Sequence, residues 1–200
     1  IDGKIADDRY RSKWISSTES RRTVHKLRSG YDAVLGGANT VKYDNPKLNV
    51  RDVKGRDPYR IIIDKDLALK HGYDVYKYAD GKTIVITSLN ADISKIKLLQ
   101  KKNIIVLPCK IKNSKIDLAD ALKKLAAHNI ASIMIEGGAF VYNEFLKAGL
   151  VDEMLIFIAP DIMGSGITAF SDKKSFKDYS SVNYYTSGRD ILVNLRKKGN

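Results

Sequence analysis

The chain is poor in several residue types, and each shortage closes off a reading. Cys109 is its one cysteine, so an internal disulfide is excluded, although that says little about redox compartment. Four prolines and the absence of any Pro/Gly/Ser-rich stretch leave nothing to divide the sequence, so residues 1–200 are expected to form one domain. Long apolar runs are missing too. The longest, Met154 to Pro160, is far too short to cross a bilayer, and no charged-then-apolar leader opens the sequence. The expectation is a soluble, cytoplasmic domain with no membrane partner.

Histidine is scarce, and His25, His71 and His128 have no Cys or carboxylate at ligand spacing, so no metal site is expected. His25, on a basic helix, is expected to be solvated. No G-x-G-x-x-G follows the first strand, no P-loop lysine motif occurs, and no G-x-S-x-G elbow appears. Acidic side chains are outnumbered: 23 Asp and Glu face 35 Lys and Arg, a net charge of +12. Phosphate on a small molecule or a nucleic acid backbone would explain the excess. A lysine-rich solvated surface, with pairs such as Lys101-Lys102, would explain it equally.

What is present is an alternation of strand-like and helix-like segments. Ser16-Ser17-Thr18-Glu19 has capping-box spacing, with Ser16 as the cap; its helix should run to about Ser29 and stop at Gly30. Ala33-Val34-Leu35 ends in Gly36-Gly37 as a buried strand would. Tyr59 to Asp64, with three consecutive isoleucines, has the pattern of a strand covered on both faces. Thr83 to Thr87 and Ile104 to Leu107 are further strands. Residues 92–101 and 117–128 carry helical spacing, Leu118, Leu122 and Leu125 sharing one face.

Ile133-Met134-Ile135 enters Glu136-Gly137-Gly138, and a helix follows to Gly149. Leu155 to Ile158 precedes Val182 to Thr186 and Ile191 to Leu195, whose Ser187-Gly188 turn suggests an antiparallel hairpin at the sheet edge. The class is α/β: a mostly parallel central sheet, helices on both faces and an antiparallel C-terminal hairpin.

In open α/β sheets, ligands gather beyond the carboxyl ends of strands. Two strand ends here break into glycine, Gly36-Gly37-Ala38-Asn39-Thr40 and Glu136-Gly137-Gly138-Ala139. Glycine lets backbone approach a ligand and a following helix start offers amides to phosphate; an ordinary tight turn reads the same way. Glu136 favours a site, because a buried acid needs a reason. Trp14, the one tryptophan, either stacks on a cofactor ring or is a half-buried surface aromatic. Arg28 and Arg51 flank one loop region, as a bidentate phosphate grip or as plain surface charge.

A resemblance adds to this. Asp2-Gly3-Lys4-Ile5-Ala6, Ser12-Lys13-Trp14-Ile15, Arg22, His25, Leu27-Arg28, Asp32-Ala33, Gly37-Ala38-Asn39-Thr40-Val41, Asp44-Asn45-Pro46, Leu48 and Arg51 resemble the pyrimidine reductase domain of riboflavin biosynthesis. Arg60-Ile61-Ile62-Ile63-Asp64, Glu136-Gly137-Gly138, Phe145-Leu146, Leu150-Val151-Asp152-Glu153 and Pro160 to Gly164 continue it in order. The resemblance implies a dihydrofolate-reductase-like fold, a homodimer, and NADPH-dependent reduction of a pyrimidine ribosylamine phosphate supplied by a deaminase domain or enzyme. Ser12, Arg28, Leu48, Arg51 and Glu136 match substrate positions. Trp14, Thr40, Asp44 and the run Gly137, Gly138, Ala139, Phe140, Val141, Tyr142 toward Glu144 match NADPH positions. In that fold the glycine pair after this strand commonly contains a cis peptide, so the resemblance makes Gly137-Gly138 a candidate for one.

Lys65 stands where a small polar residue is common near the adenosine end; it either meets the 2′-phosphate of NADPH or is solvated. No deaminase signature occurs, and because the chain starts within the Asp-Gly-Lys turn, a preceding strand is expected to have been trimmed. Asp44 is the first choice for managing a proton or orienting the nicotinamide, with Glu136 anchoring the pyrimidine or ribosyl hydroxyls. The expected substrate is 5-amino-6-(5-phosphoribosylamino)uracil. Its diamino precursor, or a pterin, is the alternative within the fold; a non-catalytic basic nucleic-acid-binding domain is a distant one. The assignment requires the corners around 37–48 and 136–144 to form one cleft, with Arg28 at its rim.

Overall fold

Residues 1–78, 80–170 and 179–198 are described in a computed structural model of the chain. The first elements are β1 (Lys4–Ala6), α1 (Thr18–Gly30), β2 (Ala33–Gly37), α2 (Ala38–Asp44), β3 (Tyr59–Ile63) and β4 (Thr83–Ser88). Then come α3 (Ile93–Gln100), β5 (Ile105–Cys109), β6 (Ile111–Lys112), β7 (Lys115–Ile116), α4 (Leu118–Ala127) and β8 (Ile133–Ile135). The chain closes with α5 (Ala139–Lys147), β9 (Glu153–Ile158), β10 (Ile167–Thr168), β11 (Tyr179–Ser187) and β12 (Asp190–Lys197). These elements form two compact units, His25–Gly138 and Ile1–Val24 with Ala139–Asn200.

In the unit His25–Gly138, five parallel strands lie in the order β5-β4-β3-β2-β8. Val34, Ile62, Val85 and Val106 pack on one face with Leu48 and Leu99. Leu35, Ile61, Ile84 and Ile86 alternate with them and are buried on the other face, which is why the strands read as continuous apolar runs. Asp92 and Asp117 cap α3 and α4 through their side chains. A small hairpin, β6–β7, was not anticipated; its two-residue loop, Asn113-Ser114, has both φ positive, as a type I′ turn needs.

The strand order holds the main functional clue. From β2 the chain steps outward through β3, β4 and β5, and then β8 returns to the opposite side of β2. The direction of winding therefore switches between β2 and β8, and in open α/β sheets it is beyond the carboxyl ends at such a switch that ligands gather.

In the other unit, β11, β12 and β9 form an antiparallel sheet in that order, and β1 pairs with β10. The C-terminal hairpin forms as expected, but its partner is β9 rather than an edge of the parallel sheet. The mixed exposure along β12 suits a strand with one covered face, unlike the fully buried parallel strands.

The start of α1 also differs from the capping-box reading: the cap is Ser17, not Ser16. The Ser17 hydroxyl accepts from the Ser20 amide at 3.2 Å, and the Ser17 amide donates to the buried Asp190 carboxylate at 2.7 Å. Burial pushes the Asp190 carboxyl up, but hydrogen bonds from Ser20 and Ser17 outweigh it and hold it below the usual range. Among the described residues no helix is long and apolar enough to cross a membrane.

Candidate active site

The last turns of α1 carry His25 and Arg28, three residues apart and therefore on one helix face. Arg28 is buried, with 8% of its surface exposed, rather than standing at a rim. Its Nε donates to Glu136 Oε1 at 2.6 Å and its Nη2 to Oε2 at 2.5 Å, a bidentate pair. Nη1 donates to the Asn49 carbonyl at 2.7 Å. Glu136 directly follows β8, and its amide donates to the Leu35 carbonyl at 2.8 Å. The carboxylate is thus fixed at the β2–β8 switch point, and the guanidinium compensates its partial burial.

The corner beyond is made of Gly137 and Gly138, both at φ +78. A Cβ on Gly137 would stand 3.0 Å from the Thr40 methyl, and one on Gly138 2.8 Å from its hydroxyl. Only glycine fits, and the two glycine corners meet through Thr40 of α2. The Gly137-Gly138 candidate is not cis: no cis peptide occurs among the described residues. Left-handed rotation at both glycines turns the chain with trans bonds.

Asp44 ends α2, and the loop beyond it carries unusual backbone. Asn45, Leu48 and Asp52 have φ of 44, 50 and 62. Asn and Asp tolerate this region; Leu48, 2% exposed, is held there by its packing in the core. Such outliers cost about 1–3 kcal/mol each and cluster at functional sites. Arg51 presents an exposed guanidinium, whose Nη1 donates to the Asn49 side-chain oxygen. Its amide donates to His25 Nδ1 at 3.1 Å.

His25 is 5% exposed, which overturns the expectation of a solvated residue. Burial, then the charges of Arg28 and Arg51, hold its pKa below the ordinary value, against the opposing pull of Asp52 and Glu136. Lys65, at the carboxyl end of β3, is partly exposed with Nζ 3.6 Å from Asp66. Glu136, Arg28, Leu48, Arg51, Thr40, Asp44, Lys65, Gly137 and Gly138 all belong to the unit His25–Gly138.

The remaining expected residues belong to the other unit. Ser12 is half-buried. Trp14 is 73% exposed, with the Arg21 guanidinium 4.5 Å from its ring centroid, so it is not the half-buried aromatic of the plainer reading. Ala139, Phe140, Val141 and Tyr142 open α5; Phe140 is exposed and Val141 buried. Burial pushes the Tyr142 phenol up to about 12, beside the Phe170 ring.

The sequence profile described as the RibD C-terminal domain matches residues 1–193. The chain belongs to this family. A riboflavin biosynthesis protein RibD from Aquifex aeolicus is 41% identical over 169 residues, which is 84% of this chain and 46% of that protein. The chain spans less than half of that relative, and 43% of RibD from Actinobacillus pleuropneumoniae. By contrast it covers 94% of a Methanothermobacter thermautotrophicus protein, at 32% identity over all of this chain. That relative is named 2,5-diamino-6-ribosylamino-4(3H)-pyrimidinone 5′-phosphate reductase.

Among solved structures, a Thermotoga maritima deaminase/5-amino-6-(5-phosphoribosylamino)uracil reductase superposes with a TM-score of 0.80 at 32% identity. The match covers 98% of this chain and 54% of that one. The α/β fold read from the sequence is thus that of the RibD reductases.

For this RibD C-terminal domain, residue-by-residue reading missed His25 and Asn49. Asn49 holds Arg28 through its carbonyl and Arg51 through its side chain. The available signal was the three-residue spacing of His25 and Arg28 on α1; nothing local marks Asn49.

Proposed function

We propose that residues 1–200 act as a single reductase domain that uses NADPH to reduce the ribosyl group of 5-amino-6-(5-phosphoribosylamino)uracil to ribityl. The observation that carries this reading is the meeting of the two glycine corners at the sheet's switch point, with the Arg28–Glu136 pair fixed beside it. Family membership supports it.

The residues fit a nicotinamide cofactor. No side chain separates Thr40 from the Gly137-Gly138 backbone, so hydroxyl and peptide groups form a bare cradle. Thr40, Asp44, Gly137 and Gly138 would hold it, with Lys65 toward a 2′-phosphate. When bound, the cofactor supplies the hydride. The protein's own task is to prepare the acceptor carbon. Breaking the ribose ring C–O bond, with a proton to the ring oxygen, leaves an imine; a proton on its nitrogen makes the carbon electrophilic. Asp44 manages that proton. Glu136, fixed by both oxygens to Arg28, anchors substrate hydroxyls or the pyrimidine. Arg51, the exposed guanidinium, takes the 5′-phosphate, while Arg28 adds its charge from beneath.

We further propose a cytoplasmic homodimer supplied by a deaminase domain or enzyme. Exposed Val182, Tyr184, Tyr185 and Ile191 on the β11–β12 hairpin support self-association. The diamino pyrimidine is the second reading, favoured by the near full-length match to the Methanothermobacter relative. Oxidation of NADPH, followed by absorbance with each pyrimidine ribosylamine phosphate in parallel, tests both. Faster turnover of the uracil compound is expected. Preference for the diamino compound would replace the substrate, and no oxidation with either would end the reductase reading.

A further inference from the structure

His25 has no part in the chemistry above, yet it is buried between the two arginines of the site. Its Nδ1 accepts from the Arg51 amide at 3.1 Å and lies 3.5 Å from Arg28 Nη1, while Nε2 lies 3.9 Å from Asp52 Oδ2. An imidazole nitrogen carries one lone pair, and a peptide N–H can only donate. Nδ1 must therefore be bare, and the ring proton sits on Nε2, toward Asp52. The ring links α1 directly to the Arg51 backbone. We infer that His25 is a positioning residue: its neutral, Nε2-protonated ring holds the Arg51 backbone, and with it the exposed guanidinium that grips the substrate's phosphate. This rests on the proposed function in one respect only, that the anion bound at Arg51 is the substrate's.

A consequence is a release at low pH. A second proton on the ring would have to go to Nδ1, where it faces the Arg51 N–H and breaks the bond. The groups around the ring are Arg28 on α1, Arg51 and Asp52 on the loop, and Glu136 after β8. The two cations and burial disfavour protonation and outweigh the two acids. The folded chain then binds fewer protons at this ring than the unfolded chain does. His25 therefore costs no stability well above its ordinary value of 6.5, and stability falls as pH drops below it.

The test compares His25→Asn, whose amide oxygen stands where Nδ1 stood, with His25→Leu, which has no acceptor. Wild type should show a KM for the pyrimidine substrate that rises several-fold from pH 7.5 to 5.5 (an expectation of about 1 unit in log KM at most), with kcat changed less. His25→Asn should keep the neutral-pH KM and flatten its pH dependence. His25→Leu should raise KM up to about tenfold throughout, the upper end for losing one hydrogen bond between neutral groups. Equal KM in both variants and wild type would overturn the inference, leaving His25 a mere core residue.

Nitrogen NMR of the ring separates this from the functional reading. A bare Nδ1 coupled to the Arg51 amide is expected even if no substrate turns over, and a protonated Nδ1 at neutral pH would overturn the inference alone.

Discussion

Gly36-Gly37 and Gly137-Gly138 both follow buried strands and look alike as sequence, but they serve different needs. Gly37 is extended, at φ −94 and ψ 160, and a Cβ on Gly36 would meet the Glu136 carbonyl oxygen at 3.4 Å, an ordinary contact. That corner sits where two parallel strands run side by side. Gly137 and Gly138 are both left-handed and press on Thr40, so that turn can be made by glycine alone. The first corner leads to Thr40 and Asp44 on α2 and to Arg51 beyond it; the second supplies bare backbone and a fixed carboxylate. A doubled glycine after a strand thus marks a place, while the dihedral angles decide what the place is for.

Five substitutions sharpen or break that contrast. Glu136→Ala strips Arg28 of its partner and leaves a buried charge; stability should fall by about 3 kcal/mol, read from denaturant unfolding. A negligible change would mean that the second corner does not depend on its ion pair. Asp44→Asn should lower kcat at least ~10²-fold with the fold intact, the low end for losing an acid–base group. Unchanged turnover would move the chemistry away from the first corner's helix.

Gly138→Ala should cost about 1–2 kcal/mol in stability from its backbone alone, while Gly36→Ala should cost less than ~1 kcal/mol. Equal costs in the same unfolding measurement would erase the difference between the corners. Arg51→Ala should raise KM about tenfold and change kcat less, since a phosphate contact remote from the reacting carbon acts mainly in binding. A matching loss in kcat would give Arg51 a place in the chemistry.

Much of the fold was legible because it rests on local pattern. Ile61-Ile62-Ile63 announced a strand covered on both faces, and the structure buries Ile61 and Ile62 completely. Leu118, Leu122 and Leu125 announced α4. Small errors arose where a distant group intervened. Ser17 caps α1 because Asp190, 173 positions later, takes its amide. The hairpin turned at Ser187-Gly188 as expected, but its partner strand could not be read from spacing, since β9 and an edge of the parallel sheet offer the same backbone donors and acceptors.

In the site, glycine and carboxylate positions were visible one by one. Their pairing was not. Arg28 and Glu136 are 108 positions apart, and either could have been read as a surface charge. His25 was misread because a basic helix looks solvated from its own residues, whereas its burial comes from the loop around Arg51.

By itself, the sequence determined the order of strands and helices, the two glycine corners and the family, because periodicity and turn chemistry act over a few residues. Only the tertiary structure decided which charges neutralise each other, which histidine nitrogen meets the Arg51 amide, and which glycines are truly obligatory. Those outcomes depend on distances between segments far apart in the chain, and electrostatic and steric terms are set by distance in space, not by separation along the backbone.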